Sequence, residues 1–191
     1  MEQKENRKIR YTKMVIRDSL MDLMKNSSIL NISIKDICEH ADISRSTFYS
    51  HYKDQYQLLR QIEDEIFVYL EDLLSKYDDK RSNREFTRLI EEILTYAANN
   101  SSVQVLLSEH GDIDFSKKLF TDLTIRKHIT SLFPRKMQED ETRTCYFIFV
   151  LNGCIGLIQH WIKNNMQIPV HRLARMMYKW TEQQSDDVLK L

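Results

Sequence analysis

Apolar residues recur along this chain at intervals of three and four. Ile16, Leu20, Leu23 and Met24 fall at i, i+4, i+7 and i+8, the stripe of an amphipathic helix, which predicts a first helix over about 9–24. Asn26-Ser27-Ser28 ends it. Ser33 stands three residues before Asp36, a capping-box pattern, and Ile34, Ile37, Cys38 and Ala41 then give a short second helix one apolar face. Ser44 is placed to cap a third short helix, and Asp54 with Gln57 three residues on marks a fourth. The fourth is long, because Leu58, Leu59, Ile62, Ile66, Tyr69, Leu70 and Leu73 continue at helical spacing.

The charged, apolar-free stretch 78–84 reads as an exposed link to a second layer of helices. The domain transition is placed along the fourth helix itself. Phe86, Leu89, Ile90, Ile93, Leu94 and Ala97 mark a fifth helix, and 101–110 a short sixth that Gly111 terminates. Residues 112–132 read as a seventh, closed by Pro134. The eighth runs over about 139–164 and is apolar on nearly all sides in its middle, which reads as a buried helix. Pro169 suits the first turn of a ninth, through Leu173, Met176, Met177, Tyr178 and Trp180. The expected fold is all-α with about nine helices.

Composition agrees with this picture and narrows the chemistry. Only 3 Gly and 2 Pro among 191 residues leave few turns for a multi-stranded sheet. The net charge of zero argues against a protein that coats nucleic acid or membrane over its whole surface. That average hides a split: residues 7–60 carry ten Lys/Arg against six Asp/Glu, a net +4, and the remainder is slightly acidic. Three cysteines without a CxxC pair make a poor disulfide framework and fit a reducing cytoplasm. The N-terminus is charged and lacks the apolar core of a secretory signal. The longest apolar stretch, 145–158, is interrupted by Asn152 and falls short of the roughly 20 residues of a membrane helix, so no membrane partner is expected. The six histidines show no HxxxH or Cys/His spacing, and there is no glycine-rich phosphate loop or nucleophile elbow. No metal, cofactor or catalytic residue is therefore expected, and the chain does not read as an enzyme.

Three short helices followed by a long one, with the second and third joined by about three residues (42–44), describe a helix-turn-helix. In that motif the second helix braces and the third enters the major groove. Phe48 is the residue expected to be buried in the third helix, with Ile43 and Tyr52 at its ends. At about 100° per residue, Arg45, Ser46, Tyr49 and Ser50 are left outside and Thr47 at the edge. Arg pairs bidentately with guanine, and Ser or Thr reaches base edges or phosphates.

The run ISIKDICEHADISRSTFYSHYKDQYQLL, Ile32 to Leu59, resembles the DNA-binding region of the TetR family of bacterial transcriptional regulators (AcrR-like). The similarity extends over 7–67, with the helix-turn-helix at about 31–50, and leaves 68–191 as a C-terminal helical dimerisation and effector domain. The resemblance implies that Tyr49 and His51 hold phosphates, that Arg45, Ser46, Thr47 and Ser50 face bases, and that Ser33 and Lys35 meet the flanking backbone. Asp42 stands where the family usually has its turn glycine, and Gln55 where a lysine commonly opens the fourth helix. Lys53 is the candidate to replace that lysine.

The segment from Tyr146 to Trp180 resembles the C-terminal region of a group of such regulators that includes activators of dihydroxyacetone kinase genes, through Phe149, Gly153, Gly156, Trp161 and a last helix after a proline. The family's last two helices form a dimer interface. It would fall on 139–182 here, including Phe149, Gly153, Leu157, Trp161, Met176, Met177 and Trp180, each of which reads equally as intramolecular core. A cavity among helices five to eight would hold an effector, with Phe86, Ile90, Tyr96, Phe115, Phe120 and Tyr146 as candidates to line it. Ordinary core packing is the preferred reading for each, and no ligand-binding residue is assigned.

Taken together, the two resemblances imply a cytoplasmic, homodimeric repressor that binds a near-palindromic operator in double-stranded DNA and is released by a small-molecule effector. The alternative is a relative of the same fold that acts by binding a partner protein.

Overall fold

The structure is a computed structural model that describes residues 7–77, 83–108, 115, 118 and 141–188. Among these residues there are eight α-helices and no strand: α1 (Arg7–Met24), α2 (Ile34–His40), α3 (Arg45–Tyr49), α4 (Gln55–Ser75), α5 (Asn83–Asn99), α6 (Ser101–Leu106), α7 (Glu141–Lys163) and α8 (Val170–Val188). A single 3-10 turn, Ile29–Asn31, joins α1 to α2. The expected helix over 112–132 lies outside the described residues except for Phe115 and Lys118, both helical.

Local chemistry sets most of the helix starts. Ser33 accepts from the Asp36 amide while the Asp36 carboxylate accepts from the Ser33 amide at 2.8 Å, so two orphan donors of α2 are satisfied reciprocally. The Ser33 hydroxyl also donates to that carboxylate at 2.6 Å, and it and the Ser33 amide together hold the Asp36 carboxyl below its usual value. Asp54 accepts from the Gln57 amide at 2.6 Å, and the Gln57 side chain returns to the Lys53 amide, fixing the entry into α4. Asn100 caps α6 in the same way, and the Gln104 amide closes the end of α5 by donating to the Ala97 and Ala98 carbonyls.

The turn between α7 and α8 is equally specified. The Asn165 amide donates to the Ile162 carbonyl and the Met166 amide to that of Trp161, a Schellman pair with Asn165 left-handed at φ 53°. The Trp161 indole N–H then reaches the Ile168 carbonyl at 2.7 Å.

One apolar cluster runs from Ile16, Leu20 and Met24 of α1 through Ile37, Phe48, Leu58, Ile62 and Ile66 to Leu89, Leu106, Phe115 and Ile155. It is continuous across residue 67, because α4 belongs to both layers. A second cluster, with Ile90, Leu94, Trp161, Leu173, Ala174 and Met177, forms where α8 packs on α5. The layers are tied further by the Arg17–Glu65 ion pair between α1 and α4 and by stacking of Tyr69 on Tyr96, centroids 3.8 Å apart, between α4 and α5.

Helix α7 departs from the sequence expectation. Residues 144–163 are long and apolar enough, by length and composition, to cross a membrane, and within them only Tyr146, Phe147, Ile155 and Trp161 are buried. The apolar run exceeds 145–158 because Trp161 and Ile162 continue it past His160. Among the described residues the helix is thus not a buried one: it shows Ile148 and Phe149 to the outside, 48% and 64% exposed.

Candidate nucleic-acid interface and apolar cavity

The turn before α3 decides how that helix stands. The Asp42 amide donates to the Glu39 carbonyl and the Ile43 amide to that of Cys38, so α2 ends in a Schellman motif with Asp42 in the left-handed region at φ 50°. Glycine adopts that conformation without strain, and aspartate does so at a cost of about 1 kcal/mol. Asp42 is exposed on the same rim as Lys35, Glu39 and Arg45. Asp42→Gly is expected to stabilise the fold by about 0.5–1 kcal/mol and to strengthen binding to any duplex, most at low salt, as read by thermal melting and anisotropy titrations. A lower melting temperature would mean that the carboxylate itself holds the turn.

Helix α3 carries one buried side chain and a polar outer face. Phe48 is 0% exposed and packs edge-on against Tyr49 and tilted against Tyr52, each ring centroid 5.8 Å away. Arg45, Ser46, Tyr49 and Ser50 are exposed, Thr47 is half-buried at the edge, and Tyr52 is buried. This is the division that 100° per residue predicts.

The hydroxyls of the face are pre-arranged. Ser44 caps the helix by accepting from the Thr47 amide and lies 2.8 Å from both the Ser46 and Thr47 hydroxyls, while Ser50 donates to the Thr47 carbonyl at 2.7 Å. Arg45 and Lys53 have no ion pair among the described residues, whereas Lys35 lies 3.6 Å from Glu39. Ser33 and Lys35 are exposed at the start of α2, and His51 is half-buried beside Tyr52, ring centroids 6.4 Å apart. Burial pushes the Cys38 thiol up, with the nearby Arg45 charge opposing it, so this cysteine is an apolar support for the face.

The second feature is a cavity of about 180 Å³ between α4, α5, α6, α7 and α8. Phe86, Ile90, Tyr96 and Phe115 line it and also pack in or against the two apolar clusters, in keeping with the core reading preferred for each from the sequence. Tyr146 does not: it is buried elsewhere, its hydroxyl donating to the Thr181 carbonyl at 2.5 Å. Phe120 lies outside the described residues. Sequence reasoning missed the contribution of α4, namely Ile66, Leu70 and Leu74, and those of Cys154 and Met177.

Burial pushes the Cys154 thiol up to about 11 and raises Tyr96 above its ordinary value against a hydrogen bond with Asn100. Ionised groups are disfavoured here.

The residues expected at a dimer interface divide. Phe149, Gly153 and Trp180 are exposed, and Leu157 and Met176 half-buried. Trp161 and Met177 are 3% and 4% exposed and belong to the intramolecular cluster against α5. They are core residues of the single chain, because both point toward Ile90 and Leu94.

Residues 84–183, more than half of the chain, match the TetR-type family described as transcriptional regulator C-terminal region. The chain belongs to the TetR family of transcriptional regulators. Solved structures of similar fold include a TetR transcriptional regulator from Streptococcus agalactiae (22% identity, 92% of this chain and 96% of that one, TM-score 0.61). A TetR-family regulator from Syntrophomonas wolfei gives 16% identity, 92% and 95% coverage and a TM-score of 0.67. FadR from Bacillus subtilis, solved with stearoyl-CoA, gives 12%, 88% and 96%, and 0.62. No curated protein matches the sequence significantly. In this TetR-family regulator, DNA binding follows from family membership.

Proposed function

We propose that the chain is a homodimeric, cytoplasmic repressor that binds a near-palindromic operator and is released by a small molecule held in the cavity. The observation that carries this reading is the outer face of α3, polar and exposed over a buried Phe48. Residues 7–67 serve as the DNA-binding unit and 68–191 as the dimerisation and effector unit. Arg45, Ser46, Thr47 and Ser50 read base edges, and Ser33, Lys35, Tyr49, His51 and Lys53 hold phosphates.

A second copy is supported by α7. Gly153 and Gly156 each cost about 1 kcal/mol of helix propensity, yet a Cβ added at either meets nothing within 4 Å. No packing within the described residues offsets that cost. Phe149, one helical turn before Gly153 on the same face of α7, is exposed, so the gain is assigned to a partner helix. Two α3 helices about 34–36 Å apart would then meet successive major grooves. Gly153→Leu is expected to shift the protein toward monomer in light scattering, and an unchanged dimer would place the interface elsewhere.

Helix α4 joins the two functions, since it comes next after α3 and lends Ile66, Leu70 and Leu74 to the cavity wall. Ligand that favours one α4 setting shifts the population of DNA-competent dimers. FadR shows that a protein of this fold holds an acyl-CoA, which supports a ligand here without naming it.

The test separates base contacts from phosphate contacts. Arg45→Ala is expected to weaken the preferred site by about 1–3 kcal/mol and to relax base preference, whereas Tyr49→Phe and His51→Ala weaken all sequences alike. A uniform loss from Arg45→Ala would contradict its assignment.

A further inference from the structure

The effector cavity just assigned has a chemistry of its own. Of its described lining residues only Tyr96, Cys154 and Thr181 have polar side-chain atoms, and none is charged. Thr181 is already engaged through its hydroxyl, which donates to the Tyr178 carbonyl at 2.8 Å, and Tyr96 is half-buried with its ring stacked on Tyr69. The remaining group, the Cys154 thiol, is a weak donor. An ionised carboxylate or ammonium brought among these side chains would lose its water and gain no counter-charge from the described wall. Apolar cavities of about 150 Å³ stay dry and take up benzene, and this one is somewhat larger.

Resting on the proposed effector reading, we infer that the ligand segment seated between α4 and α8 is an uncharged hydrocarbon: one or two fused aromatic rings or a short alkyl chain. Shape selects it, through Leu70, Leu94, Ala97, Leu107 and Ile155, with no charged side chain among the described lining residues to fix its orientation. Cys154 contributes a protonated thiol that behaves as a small apolar group.

The experiment uses the full chain and two matched sets of probes: naphthalene, and octanol against octanoate and octylammonium. Thermal melting and titration calorimetry are expected to show saturable binding of naphthalene and octanol, with the two charged chains at least tenfold weaker. Ala97→Leu and Leu107→Phe each add carbon to the wall and should lower probe affinity at least tenfold; circular dichroism checks that each variant is helical. Equal binding to wild type and to both folded variants would overturn the site, and no saturable binding of either neutral probe would overturn the ligand class. Adding an operator duplex separates this inference from the reading beneath it. Neutral probes that bind without changing duplex affinity leave the ligand class standing and remove the effector role. Preferential binding of octanoate or octylammonium removes the class and leaves the effector role intact.

Discussion

Phe48→Ala is expected to cost about 4 kcal/mol and to abolish duplex binding with it. Helix α3 has only five residues, too few to persist on its own hydrogen bonds. What holds it is the insertion of Phe48, fully buried, between Tyr49, Tyr52 and the cluster that includes Ile37 and Leu58. Removing the ring leaves a void directly under the polar face, so Arg45 and Ser46 lose their fixed direction before the rest of the chain unfolds. Phe48→Leu keeps most of the volume and should cost about 1–1.5 kcal/mol. Urea denaturation checks both values. A loss below about 1 kcal/mol for the alanine variant would show that α3 is held by its caps instead.

Lys118→Met should have the next largest effect. Glu63 of α4 is 1% exposed, and its carboxylate forms an ion pair with Lys118, whose side chain is 39% exposed. Breaking a fully buried pair from one side costs about 3–5 kcal/mol, and because the ammonium here is partly in solvent the expected loss is about 2–3 kcal/mol. Glu63→Gln placed on Lys118→Met should recover a large part of it, since an amide carries no charge into the interior. Additive losses in that double-mutant cycle would mean the two side chains are not coupled. Glu63 lies one helical turn before Phe67, whose ring meets Phe115 at 5.5 Å beside the cavity, so the pair helps set where α4 stands.

The parts of the fold decided within a few residues were legible in the sequence. Ser33 with Asp36, Ser44 and Asp54 with Gln57 are caps that work through bonds of three residues' reach, and all three occur as their spacing predicts. The same holds for the faces of α3, because Phe48 is the one large apolar residue that this short helix buries.

What the sequence left open was whatever a distant partner sets. An all-round apolar α7 reads as buried, yet hydropathy does not say whether its own chain or a second copy covers Phe149. Trp161 and Met177 look like their neighbours Leu157 and Met176 in sequence, and only the packing of α8 on α5 turns them inward. Glu63 sits beside Ile62, one turn before Ile66 and Phe67, so its place on the buried stripe was available as a signal. Its pairing with Lys118, 55 residues away, was not. The α4 wall of the cavity escaped for a related reason: Ile66, Leu70 and Leu74 form an ordinary core stripe until α5 and α7 are set around them.

The most direct test of operator reading by α3 is selection of bound duplexes from a random library at two salt concentrations, with Arg45→Ala/Tyr49→Phe as the control. The expected result is a near-palindromic site, enriched at both concentrations by the native chain and not retained by the double variant. No enrichment, or enrichment that the double variant shares, would contradict that role for α3 and would favour a TetR-fold protein that works by docking onto a partner protein.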